Sequence, residues 1–270
     1  MKKKLFCRCV YMSITAITVL VVCNFCTCAL AADIDLGEGY HVPQNFTSVL
    51  IESSDGTAIQ NAVENIQPNG IIVLASGTFN LKEQINIKKN LTIRGQGSIL
   101  KMDKSDRVFR CQGNITLESL DISGGSSTNG GGIKLDGGNV IIKDCKIHDN
   151  NGGLGGGGIY SMAKTLTLTS CDISNNTLAG LGGGIAFLGG TATITNCTIT
   201  SNDTKTFGGG IAAAGATITM SNSKVSGNKA EARGDNLQLI VKTTLTATSC
   251  DIPADGNYID DSTFTNNSPN

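Results

Sequence analysis

The chain has 270 residues, with 34 Gly, no Trp, four Tyr and eight Phe. That composition excludes a broad core filled by aromatic side chains and suits a narrow one of small and branched residues. Four of its 21 basic residues (Lys2, Lys3, Lys4 and Arg8) open the chain, so the remainder carries 17 basic against 22 acidic side chains, a net of −5, which excludes nucleic acid as an electrostatic partner.

Residues 1–31 read as a secretory signal peptide. A basic start is followed by a stretch without charge up to Asp33, and Ala29-Leu30-Ala31-Ala32 has the small residues of a cleavage site. The uncharged stretch is also long enough to span a bilayer, so an uncleaved anchor is the alternative. With the leader removed, the protein is expected to be secreted or associated with the cell surface or outer membrane, and not integral to a membrane. The leader holds five of the ten Cys, leaving Cys111, Cys145, Cys171, Cys197 and Cys250. An odd number cannot all pair within one chain.

The mature chain is expected to form one unit over 32–252. Residues 55–66, DGTAIQNAVENI, put Ala58, Ile59, Ala62, Val63 and Ile66 on one helical face. Thr57 and Gln60 have capping-box spacing. Pro68-Asn69-Gly70 ends this helix, which reads as a lid over the first turn of a repeating array.

From about residue 70 to 252 the chain repeats itself. Residues 156–176 read GGGIYSMAKTLTLTSCDISNN and residues 182–202 read GGGIAFLGGTATITNCTITSN. Leu120, Cys145, Cys171, Cys197, Ser223 and Cys250 share one column; Asn150, Asn176, Asn202 and Asn228 share another. Ile133, Ile159, Ile185, Ile211 and Leu237 follow the glycine runs at a constant spacing of 26. A period in the twenties marks a solenoid. Alternation such as Thr165-Leu166-Thr167-Leu168-Thr169 marks strands with one buried face. The expected fold is all-β, a right-handed parallel β-helix of about seven coils between 70 and 250, with a short N-terminal capping helix. Residues 253–270, where the columns fade, are expected to be a C-terminal cap or a flexible tail.

Each column implies a role. Cys145, Cys171 and Cys197 are expected to be buried free thiols stacked along the axis, with disulfides between coils as the alternative. Asn150, Asn176, Asn202 and Asn228 are expected to satisfy backbone groups of their turn and of the next coil. The glycine runs supply positive φ and close approach.

Asp55…Ile59-Gln60…Ala62-Val63…Gly70-Ile71-Ile72-Val73-Leu74…Gly77-Thr78-Phe79 resembles the N-terminal opening of pectin-lyase-like right-handed β-helices. Gly-Gly-Gly-Ile at 156–159, 182–185 and 208–211, with Ile147…Asn150, Ile173…Asn176, Ile199…Asn202 and Val225…Asn228, resembles the GG[AG]I and FxxN repeats of polymorphic outer membrane proteins, with Ile or Val in place of Phe. The resemblance covers about 55–250. It implies the fold and a surface role; both motifs are structural.

No cluster of residues reads as catalytic, cofactor-binding or metal-binding. The outward column Asp121, Lys146, Asp172, Thr198, Lys224, Asp251 is expected to make ion pairs between coils. His148, beside Asp149, is expected to be a solvated turn residue. Asp251, Asp255, Asp260 and Asp261 leave Ca²⁺ as the one conceivable ion, without the ligand spacing of a defined loop. The candidate binding face is formed by hydroxyl pairs: Thr167 and Thr169, Thr193 and Thr195, Thr219 and Ser221, Thr246 and Thr248. The leading expectation is a non-catalytic, adhesin-like or structural module that meets a host or matrix surface or a polysaccharide. The alternatives are a polysaccharide lyase or hydrolase, and an ice-binding solenoid acting through the T-x-T rows.

Overall fold

The computed structural model describes residues 47–52 and 54–268. It also places the backbone of three short strands, Val19–Leu20, Asp33–Asp35 and His41–Pro43. The expected leader otherwise lies outside the described residues.

The body is a parallel β-solenoid. One inward column runs Gly70, Leu91, Ile115, Val140, Leu166, Ala192, Ile218, Leu245 and Phe264, each in register with the next. Seven turns therefore separate Gly70 from Leu245, and an eighth reaches Phe264. The turns are not uniform. Subtracting neighbours in the column gives 21, 24 and 25 residues at first, then 26, 26, 26 and 27, and finally 19.

Three sheets wrap the core. The longest bends at a corner, so that Thr165–Thr169 and Asp172–Ser174 of one turn lie on its two limbs. The second contains Ile133–Leu135, Ile159–Ser161, Ile185–Leu188, Ile211–Ala214 and Leu237–Ile240. The third is made of short strands such as Thr177–Leu178 and Asp203–Thr204. Period-two sequence explains the division of faces. Leu166 and Leu168 are buried, with Thr165, Thr167 and Thr169 outside. Stacked Ile and Leu columns fill the interior, each fully buried side chain contributing about 1.5–3 kcal/mol.

The helix spans Thr57–Asn65 and covers the first turn with Ala58, Ile59, Ala62, Val63 and Ile66, all buried. The capping box read from Thr57 and Gln60 is not made. The Asp55 carboxylate instead accepts from the Thr57 amide at 3.0 Å, and the Gln60 side-chain oxygen accepts from the Asn86 amide at 2.8 Å. Tertiary contact with the coil below takes the Gln60 side chain away from its own helix terminus. At the other end Lys89 Nζ donates to the carbonyls of Glu64 and Ile66, at 2.8 and 2.9 Å.

The C-terminal segment is part of the stack. Asn257–Ile259 pairs with Leu237–Leu239, and Thr263–Asn266 pairs with Thr244–Ala247. This turn has neither a glycine run nor an Asn of the buried column, so its sequence does not display the repeat. Asp260 and Asp261 sit at its last corner, where the Asp260 amide donates to the Leu239 carbonyl.

Candidate functional site

The turns that aim the outer faces are built from two left-handed corners per coil. One precedes the Cys column: Asp144, Ser170, Asn196, Asn222 and Ser249 have φ between 49 and 54°. The other precedes the Asn column: Asp149, Asn175, Ser201 and Gly227 have φ between 52 and 65°. Asp, Asn and Ser hold this conformation because a short polar side chain can bond to local backbone.

Behind the second corner runs a buried amide ladder. Asn176 Nδ2 donates to Asn202 Oδ1 at 3.0 Å and to the Ile147 carbonyl at 2.9 Å, and the Asn176 amide donates to the same Asn202 Oδ1. Asn150 and Asn202 repeat the arrangement with Asn176 and Asn228. The glycine runs fit around it. Gly156 needs its positive φ of 61°, while a Cβ on Gly158 would lie 2.8 Å from the Gly184 carbonyl and 3.0 Å from Asn176 Nδ2. The five Cys of the described residues are free and buried. Burial pushes the Cys145 thiol up to about 12.

The hydroxyl face is the outer side of the longest sheet. Thr167, Thr193, Thr219, Thr246 and Thr265 are mutually in register on five consecutive rungs. Thr169, Thr195, Ser221 and Thr248 form the row on one side. Thr165, Thr191, Thr217, Thr244 and Thr263 form a third row, on the other side, that sequence reading passed over. Thr193, Thr219 and Thr248 are exposed; Thr167, Thr169, Thr195 and Thr246 are half-buried by their neighbours. Rows stand about 7 Å apart and rungs about 4.8 Å apart, giving a regular lattice. Toward the N-terminus the Thr167 row passes through Ile141 to Thr116 and Thr92, while the Thr169 row turns to charge at Lys143, Glu118 and Arg94, where Glu118 joins Arg94 at 2.8 Å and Lys143 at 3.3 Å.

The expected ion pairing in the column Asp121, Lys146, Asp172, Thr198, Lys224, Asp251 is made at Lys224–Asp251, at 2.9 Å. Asp121 turns instead to His148, whose Nε2 it meets at 2.8 Å while Asp149 meets Nδ1 at 2.7 Å. His148 is thus a clamped side chain rather than a freely solvated one. Burial of its ring pulls the pKa down, but the Asp149 and Asp121 carboxylates outweigh this, and the net shift is upward. Among the described residues no three His, Cys, Asp or Glu side chains are grouped so as to hold a metal ion.

A second surface feature was not anticipated. On the outer side of the sheet through Ile185–Leu188, the column Arg110, Lys134, Tyr160, Ala186, Ala212, Gln238, Tyr258 is in register. Its two alanines floor a cavity of about 290 Å³, walled by Leu181 and Leu188 and closed at one end by Tyr160. Sequence reading missed it because an outward Ala between Ile185 and Phe187 looks the same as an inward one.

A family model described as right handed beta helix region matches residues 86–252. No curated protein matches the chain. Among solved structures, the chain is similar to the deglycosylated pectin methylesterase of Aspergillus niger, at 13% identity and TM-score 0.49, covering 83% of this chain and 91% of that one. A pectin methylesterase mutant in complex with a hexasaccharide is similar at 12% identity and TM-score 0.46, covering 70% and 73%. The Geobacillus virus E2 ORF18 protein is similar at 15% identity and TM-score 0.37, covering 80% of this chain and 58% of that one. With its turns in parallel register and most of them inside the matched region, the chain belongs to the right-handed β-helix family.

Proposed function

We propose that this protein is a non-catalytic interaction module, secreted or held at the cell surface, which uses its hydroxyl face as an adhesin-like contact. One observation carries the reading: Thr167, Thr193, Thr219, Thr246 and Thr265 form an unbroken in-register row on the outer side of the longest sheet, flanked by two further rows of hydroxyls. Such a lattice offers many shallow donors and acceptors and suits a broad host or matrix surface, or a polysaccharide laid across the rungs. The likeness of the repeats to those of polymorphic outer membrane proteins supports the surface role. The test is binding to a matrix and glycan array. Thr193→Tyr and Thr195→Tyr are expected to lower binding by on the order of tenfold, with the unfolding midpoint unchanged. Ca²⁺-dependent release of unsaturated sugars, abolished by Asp144→Ala or Asp172→Ala, would overturn it in favour of a polysaccharide lyase.

The regularity of the lattice favours ice binding as a second reading, because two fixed repeats in one plane can order surface water. Thermal hysteresis that is lost in Thr193→Tyr is the outcome expected of that reading.

A further inference from the structure

Asn-x-Ser or Asn-x-Thr, with x not Pro, occurs six times among the described residues, and the structure sorts these triplets by what else their side chains do. Such a triplet is the acceptor of an N-linked glycan in an exported protein, where it lies on the surface. In four of the six the fold itself employs the asparagine. Asn202 belongs to the buried ladder: its Nδ2 donates to Asn228 Oδ1 and to the Ile173 carbonyl, and the Thr204 hydroxyl donates to the Gly180 carbonyl. Asn90 and Asn114 hold the backbone amides of the next rungs through their side-chain oxygens. Asn266 Oδ1 accepts from the Ser268 hydroxyl, which in turn accepts from the Cys250 amide.

The other two, Asn175-Asn176-Thr177 and Asn196-Cys197-Thr198, have no such employment. Asn175 and Asn196 are exposed at the two left-handed corners, with φ of 53 and 54°, and neither side chain makes a hydrogen bond to the described residues. Each corner takes other residues in the same conformation: Asp149 and Ser201 stand where Asn175 does, Ser170 and Ser249 where Asn196 does. Nor does the stack require the hydroxyls. Thr177 is in register with Asn151 and Asp203, and Thr198 with Asp172 and Lys224. Asn176 and Cys197 are buried between them, which leaves the amide and the hydroxyl of each triplet on the outer surface. The sequence thus supplies a complete acceptor twice where the fold demands neither of its two polar residues.

We propose that Asn175 and Asn196 accept N-linked oligosaccharides, transferred to the folded chain from a lipid-diphosphate donor, which presupposes the secreted or surface address proposed above. In the transfer the asparagine Nδ2 forms a bond to the sugar C1, and the bond from C1 to the diphosphate oxygen breaks. The lipid diphosphate leaves, and the amide loses one proton to a base of the transferase. Asn196 directly follows Thr195, so its glycan borders one outer row of the hydroxyl face. Asn175 follows Asp172–Ser174, at the far end of the other limb of that sheet.

The test is incubation of the purified full chain, in non-ionic detergent, with an oligosaccharyltransferase and a lipid-diphosphate-linked oligosaccharide, followed by glycopeptide mass mapping. Short peptides spanning 172–179, 193–200 and 199–206 serve as unfolded acceptors, and all three are expected to be modified. In the folded chain Asn175 and Asn196 are expected to carry glycan and Asn202 none. Thr177→Ala should abolish transfer to Asn175, and Thr198→Ala transfer to Asn196, whereas Thr177→Ser and Thr198→Ser should retain it. Asn175→Asp and Asn196→Ser should remove the acceptors with the unfolding midpoint unchanged, because their corners already hold those residues in other coils. A folded chain that takes no glycan at either corner, or corner peptides that are not accepted, overturns the proposal. So does transfer to Asn202 as readily as to the corners, or transfer that survives Thr177→Ala and Thr198→Ala. A chain that takes glycan but binds nothing on the matrix and glycan array keeps its acceptor sites and loses the adhesive role, so the two failures are read apart.

Discussion

The Asn228 side-chain amide donates to Asn236 Oδ1 at 3.2 Å, across only eight residues of chain, whereas each earlier step of the same ladder joins residues 26 apart. Asn236 stands where the earlier coils have the third glycine of their run. The next coil has no Asn of its own in the buried column, so the third-glycine position supplies the acceptor that closes the ladder. The glycine run and the ladder end together because they are two sides of one packing arrangement.

This sets an order of costs. Asn202→Ala removes the acceptor of both the Asn176 amide and Asn176 Nδ2, and strands the Asn228 end of the chain of bonds. Each buried group left unpaired costs about 1–3 kcal/mol, so the variant should lose on the order of 3 kcal/mol. Asn236→Ala, at the last step, should lose about 1 kcal/mol. Urea unfolding midpoints check the ranking; equal losses would mean that the ladder is not cooperative.

Two glycines should respond in opposite directions. Gly158→Ala forces a Cβ against the Gly184 carbonyl and the Asn176 amide, both parts of a neighbouring rung that cannot yield separately. A loss of about 2–4 kcal/mol is expected, as for overpacking combined with strain. Gly227 has φ 65° with nothing near its missing Cβ, and Asp149, Asn175 and Ser201 occupy the equivalent corner. Gly227→Asn should therefore be neutral or stabilise by up to about 1 kcal/mol, because the unfolded chain loses freedom while the corner tolerates the side chain. Thermal midpoints of the two variants should fall on either side of the wild type.

The clamp on His148 sets the sign of a pH dependence of stability. Its pKa is raised in the folded protein, so the protonated ring is favoured by folding. The stabilisation is fully present below the ordinary His value and is lost as pH rises through the folded value. Unfolding midpoints should therefore decline as pH rises above the ordinary His value, and His148→Gln should flatten that slope. Asp121→Asn should bring the ring back toward its ordinary pKa in a proton NMR titration. A ring that titrates at its unperturbed value in the wild type would refute the clamp.

The thiols should be silent in the native state. Cys145, Cys171 and Cys197 are buried without disulfides, and burial disfavours the reactive thiolate of Cys145. Alkylation followed by peptide mass mapping should label none of the three before denaturation and all three after. Labelling of any one in the folded protein would place its side chain outside the core.

The solenoid was readable where its turns are equal in length and share the same chemistry. Ile133, Ile159, Ile185 and Ile211 stand 26 apart because Gly, Asn and Cys are required at fixed places in those coils. The first turns obey the same stacking with other residues. There, Asn90 Oδ1 accepts from the Asn114 amide and Asn114 Oδ1 from the Asn139 amide, an exposed ladder spaced by 24 and 25 that no column in the sequence announces. The left-handed corners at Ser170 and Asn196 are occupied by residue types that mark a turn without fixing its hand, so the sequence alone does not announce them. The hydroxyl rows of Thr193 and Thr195 came from alternation alone. The groove over Ala186 did not, because the height of a surface depends on its neighbours, Leu181 and Leu188, and these come together only when the turns are stacked. The clamp on His148 likewise needs Asp121, 27 residues away, brought alongside by the register.

The equal turns in the middle of the chain make length a free variable. A copy of residues 177–202 spliced in after Asn202 would bring every column back to its own kind: Asn on Asn, Cys on Cys, Thr on Thr. The protein would grow by about 4.8 Å, and each face would gain one row without a new type of contact. The outer turns do not have this property, since their spans of 21 and 19 residues fit only beneath the helix and at the terminal corner. Changes in reach can therefore arise by duplication within the middle, while both ends stay as they are.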